Sequence, residues 1–108
     1  NYIHVQDVTS AFIFAIENFS KLKNNIYNLG LSEANITKIN LAKKIKKYLK
    51  KTKITIITSK SDPDKRDYFV SNDKIEKKGF KAKVSLDQGI KELIKIFKHC
   101  DIKFINNY

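Results

Sequence analysis

The stretch Asp7-Val8-Thr9-Ser10-Ala11-Phe12-Ile13-Phe14-Ala15-Ile16-Glu17-Asn18-Phe19 decides how the chain is read. Val8, Ala11, Phe12, Ala15, Ile16 and Phe19 follow the spacing that places apolar side chains on one helical face, and Asp7 stands where a residue could cap the amino end. Ile13 and Phe14 fall off this stripe, so the segment from Ala11 to Ile16 is apolar nearly all round. A short chain has little with which to cover a second side of such a helix. The flank at Ile13 and Phe14 therefore points to another domain or subunit, with plain core packing as the competing account.

Outward from this helix, Tyr2, Ile3 and Val5 read as the end of a strand. Asn24 and Asn25 turn the chain into Ile26-Tyr27-Asn28-Leu29, a short strand closed by Gly30. Thr37 can cap a second helix with an inner face of Leu41, Ala42, Ile45, Tyr48 and Leu49; its outer face and end carry Lys43, Lys44, Lys46, Lys47, Lys50 and Lys51. Ile54 to Thr58 is a β-branched run, the strongest strand signal in the chain. Ser61 to Asp64 is a turn by composition, and Tyr68, Phe69 and Val70 read as extended. A short helix from about Asn72 to Lys78 stops at Gly79. The last helix opens on the capping-box pattern Ser85-Leu86-Asp87-Gln88 and buries Leu86, Ile90, Leu93, Ile94 and Phe97. The expected fold is α/β, helices packed on short strands, over residues 1–100, with 101–108 as a tail.

With 108 residues, 42% hydrophobic and 31% charged, the chain has the length and composition of one folded domain rather than a disordered segment. One cysteine, Cys100, excludes an internal disulfide framework and a multi-cysteine metal site, and fits a reducing, cytoplasmic setting. The longest apolar run, Ala11 to Ile16, is far below the roughly 20 residues of a membrane-spanning helix, so no membrane partner is expected. The net charge of +11 raises nucleic acid as a partner. Against it, 21 of the 22 basic residues are lysine in a chain also rich in Ile and Asn, a mixture that coding bias produces. The lysine-rich stretch from Lys43 to Lys53 has Tyr48 as its sole aromatic, which disfavours a small basic nucleic-acid-binding module, the alternative reading of function. The chain begins with Asn1 and contains no methionine, and is read as a piece of a longer polypeptide.

Residues for catalysis are sparse. His4 and His99 have no sequence neighbours that make a nucleophile pair or a metal site, and adjacent His99 and Cys100 point about 100° apart on a helix. No glycine falls in a phosphate-binding Gly-x-Gly arrangement. Lys60 to Tyr68 stands out because it holds the single arginine, Arg66. In a chain that otherwise uses lysine, its two-pronged donor suits phosphate or carboxylate; pairing with Asp64 or Asp67 is the competing role.

Taken in order, Tyr2-Ile3-His4-Val5-Gln6-Asp7-Val8 with its apolar helix, Tyr27-Asn28-Leu29-Gly30, a capped helix, a strand, a basic turn and Ser85-Leu86-Asp87-Gln88-Gly89-Ile90 resemble the C-terminal part of NAD-dependent epimerase/dehydratases. These are the extended short-chain dehydrogenase/reductases that act on nucleotide sugars. The resemblance runs from Asn1 to about Phe97. It implies a Rossmann lobe, N-terminal to this portion, that binds NAD or NADP through a glycine-rich turn and carries a Tyr-x-x-x-Lys pair. Neither motif occurs here: four residues beyond Tyr2, Tyr27, Tyr48 and Tyr68 stand Gln6, Leu31, Thr52 and Asn72, and Tyr108 is terminal. The implied role is to bind the nucleotide-sugar substrate and pack against that lobe, the piece being inactive alone. By the family pattern Arg66 first, then Lys60, contacts the substrate diphosphate, and Tyr2 matches a tyrosine near the substrate. The loop Ser61 to Asp67 departs from the family's usual Arg-x-Gly-Asp, which leaves the register of the basic residue open. Homodimers are common in the family.

Overall fold

The three longest helices among the described residues start where a side chain accepts from an N–H group of the first turn. The computed structural model describes residues 1–56 and 69–99. Among them α1 spans Val5–Glu17, α2 Phe19–Leu22, α3 Lys38–Tyr48, α4 Asp73–Glu76 and α5 Leu86–His99, with a single 3-10 turn at Ser32–Ala34. Thr37 accepts from Asn40 N–H to open α3, and Ser85 Oγ accepts from Gln88 N–H to open α5, as the sequence leads one to expect. Only half of the capping box forms, because the Gln88 amide donates forward to Glu92 at 3.0 Å.

Two corrections concern α1. Its cap is His4, whose side chain accepts from Gln6 N–H, and not Asp7, which lies in the first turn and is buried. The inward face is Asp7, Ala11 and Phe14, while Phe12, Ile16 and Phe19 of the expected core stripe are 68%, 76% and 67% exposed. Phe14, which the spacing sets off that stripe, packs on Phe80 with ring centroids 5.6 Å apart, the core-packing alternative. The cause lies in the tertiary partners. With apolar residues all round, periodicity cannot choose a face, and the buried carboxylate of Asp7 does.

No β-strand occurs among the described residues, and the expected α/β fold with helices packed on short strands is overturned: the described chain is helical with irregular connections. A strand needs a neighbour that shares a ladder. Tyr2 exchanges main-chain bonds with Leu31 N–H and the Ala34 carbonyl, a pairing that stops there because Val5 has already entered α1. At Ile26 to Leu29 side chains take the place of a ladder: Lys74 donates to the Ile26 carbonyl, and the Asn28 amide donates to the Ser71 carbonyl. Asn35 accepts from Val70 N–H and donates to its carbonyl, imitating a paired strand with one amide. Ile54 to Ile56 form no strand; Ile57, Thr58, the Ser61–Asp64 turn and Tyr68 lie outside the described residues, as does the 101–108 tail.

Two apolar clusters hold the helices. Ala11, Ile75 and Phe80 form one with Phe14, Tyr27 and Leu29 against it; Leu31, Ala34 and Ala82 form the other with Tyr2, Ile3 and Leu86. Between them α4 ends on Gly79 at φ 105°, as the sequence suggests. Phe80 N–H bonds to the Ile75 carbonyl and Gly79 N–H to the Glu76 carbonyl, the paired bonds of a left-handed helix stop, with Phe80 and Ile75 in hydrophobic contact.

Candidate functional site

The amino segment is pinned to the start of α5 by side chains far apart in sequence. Asp7 Oδ1 accepts from Lys83 N–H at 3.0 Å and Oδ2 from Val84 N–H at 2.9 Å, satisfying two main-chain donors just before Ser85. His4 Nδ1 accepts from Gln6 N–H, so its proton sits on Nε2 and faces Glu92 Oε2 at 2.9 Å. The imidazole lies over Gly89, where an added Cβ would stand 3.3 Å from His4 Cδ2. Hydrogen bonds from Gln88 and then His4 hold the Glu92 carboxyl below the usual carboxylate range.

Beside this pin lies a cavity of about 490 Å³ between the amino segment, α3 and α5, with Tyr2, Leu41, Ile45, Val84, Ile90 and Leu93 among its walls and His4 and Glu92 at its edge. Volume and apolar lining are those of a small-molecule cleft. Its chemistry suits an uncharged group: among the described residues no lysine or arginine lines it, and a diphosphate there would meet the Glu92 carboxylate. An imidazole paired with a carboxylate could orient a general base, but both ring nitrogens of His4 are already engaged and neither faces a nucleophile. No group of His, Cys, Asp or Glu among the described residues could hold a metal ion.

Of the sequence candidates, Tyr2 is the one the described residues include, half-buried on this cavity wall. Arg66 and Lys60 lie outside the described residues, as does Cys100. His99 ends α5 with Nδ1 2.7 Å from the Lys95 carbonyl, a local contact. The roles of Glu92 and Asp7 are absent from the sequence reading. Glu92 carries no local signal, since its partner His4 is 88 residues away; Asp7 is conspicuous but its first-turn position reads as a cap.

At the far end of the cavity region Asp87 takes the ammonium of Lys44 and, at 2.7 Å, the hydroxyl of Tyr48, fastening α3 to α5. Lys91 rests over the Tyr48 ring at 5.5 Å. The Lys44 and Tyr48 hydrogen bonds hold the Asp87 carboxyl below its usual range, and the same bond to Asp87 raises the Tyr48 phenol. Elsewhere, Phe12, Phe19, Tyr27, Leu29 and Ile75 line an open apolar depression of about 410 Å³. No helix among the described residues is long and apolar enough to cross a membrane. No family model matches the chain.

Proposed function

We propose that this chain is the substrate-binding portion of an NAD(P)-dependent nucleotide-sugar epimerase or dehydratase of the cytoplasm, working with an N-terminal Rossmann lobe of the same polypeptide and open to homodimer formation. The observation that carries the reading is convergence. Of the segments whose order makes up the resemblance, Tyr2 to Val8 and Ser85 to Ile90 meet where Tyr2, Ile3 and Leu86 pack on one apolar cluster and His4 lies over Gly89, while Tyr27 and Leu29 pack with Ala11 of α1 in the other. The exposed side of α1 supports it as well: Phe12, Ile13, Ile16 and Phe19 are each more than half exposed, an apolar surface suited to a second lobe.

In this reading the lobe would hold NAD or NADP, which would supply hydride acceptance from a sugar hydroxyl and its return, and the lobe's Tyr-x-x-x-Lys pair would supply the base. This chain supplies binding. Arg66, with Lys60 second, holds the diphosphate by charge-assisted hydrogen bonds, and the cavity beside Tyr2 offers room for an uncharged part of the substrate. The test begins with the coding sequence ahead of Asn1, which should encode the glycine-rich turn and the Tyr-x-x-x-Lys pair. The protein made with that region should convert a nucleotide sugar in the presence of NAD or NADP, with Arg66→Gln raising KM. Turnover by the 108-residue chain alone, or an upstream region without the pair, overturns the reading.

A further inference from the structure

The face of α3 turned away from α5 is a run of positive charge with few answering acids. No Asp or Glu occurs from Ala34 to Ser61. Lys43, Lys46, Lys47, Lys50, Lys51 and Lys53 are all exposed. Among the described residues the acid that meets this region is Asp87, and it is held by Lys44 and Tyr48, with Lys47 acting on it only at longer range. Lys43 and Lys47, and Lys46 and Lys50, stand four apart, a spacing at which like charges repel. Such a face gathers small anions, and a polyanion that displaces them gains the entropy of their release.

Three kinds of polyanion could answer it, and the surroundings choose among them. Protein interfaces are anchored by aromatic residues and arginine and are poor in lysine at their centres; this face is mostly lysine, with no arginine and no aromatic ring among its described residues. Adsorption to a lipid surface by an amphipathic helix inserts apolar side chains beside the charges, whereas Leu41 and Ile45 of α3 are turned to the cavity against α5. Base stacking would need a free ring, and Tyr48 is tied to Asp87 and covered by Lys91. What remains is contact with phosphates alone.

We propose that the exposed lysine face of α3 and the turn after it binds the phosphodiester backbone of nucleic acid by charge, without reading its sequence. The inference is independent of the enzymatic reading, since it uses none of the residues assigned to the nucleotide sugar. The coding bias that enriches lysine throughout the chain predicts instead that binding depends on total charge wherever it lies, and the experiment separates the two.

The full chain is titrated with a fluorescent duplex DNA of random sequence at salt from about 50 to 200 mM, where binding through about four phosphates gives a log–log slope near −3.5. Replacing Lys43, Lys46, Lys47 and Lys50 together by Gln should weaken binding at the low-salt end by about tenfold or more and flatten the slope by two or more. Replacing four exposed lysines elsewhere, Lys77, Lys78, Lys81 and Lys95, removes the same charge and should leave the affinity within about twofold. Circular dichroism of both variants checks that α3 persists, and removing like charges from a helix face favours that outcome. Equal losses in the two variants overturn the proposal. So do absence of binding at low salt, marked preference for one duplex sequence, and tighter binding to phosphatidylserine vesicles or polyglutamate than to the duplex.

Discussion

Replacing Asp7 by Ala would strip the acceptor from two main-chain donors, one of them on Val84, which is buried. The expected loss is about 3 kcal/mol, the scale for charge-assisted bonds whose partners are left without acceptors. A urea midpoint that falls with unchanged m-value checks it; a loss below about 1 kcal/mol would mean that water reaches both N–H groups. Asp7→Asn should recover less than half, because its amide end brings a donor to a donor. Local signals of this kind were readable where the partner is near in sequence: Thr37, Ser85 and Gly79 mark the ends they were expected to mark. Asp7 was misread for the opposite reason, since its partners lie 76 and 77 residues away.

Between elements, α3 and α5 are joined by Asp87, and the amino segment and α5 by Glu92. Both carboxyls have pKa values lowered by folding, through Lys44 and Tyr48 for Asp87 and through Gln88 and His4 for Glu92. The unfolded chain therefore takes up protons first as pH falls, so the stability from these contacts is present above the usual carboxylate range and is lost through and below it. Thermal unfolding should be nearly flat between about pH 7 and 5.5 and decline below about pH 4. The double variant Asp87→Asn, Glu92→Gln should lose part of that decline, and salt should weaken it, both groups being partly exposed. Tyr48 has the reverse sign: its raised pKa makes its share of stability disappear only as pH climbs past the phenol range. For α1, Phe12→Ser and Ile16→Ser should change stability by less than about 0.5 kcal/mol, while Phe14→Ala, which removes a ring packed on Phe80, should cost about 2 kcal/mol or more. Paired urea titrations check this, and equal costs would show that the outward face is covered. The positions of α1, α3 and α5 are legible in the spacing of apolar residues, whereas α2 and the 3-10 turn are not. Which face of α1 turns inward is not, and neither is the absence of ladders at Tyr2, Ile26 and Ile54, because pairing depends on a neighbour that no local pattern encodes.

At the scale of the molecule, the two apolar clusters join the beginning of the described chain to its later part, with α3 lying between in sequence. The tie between Asp7 and residues Lys83 and Val84, and that between His4 and Glu92, close loops of 76 to 88 residues. Closures that long are slow, because chain entropy is lost before the contact returns anything. Local pieces such as the α4 stop at Gly79 can form first, and the amino segment locks last. During synthesis the delay becomes a matter of seconds: at ribosomal speeds about 4 to 15 s pass between the making of Asp7 and of Lys83. For nearly all of that interval Phe14 lacks the Phe80 ring it packs on, which makes this side of α1 a stretch of the nascent chain with something to gain from a chaperone.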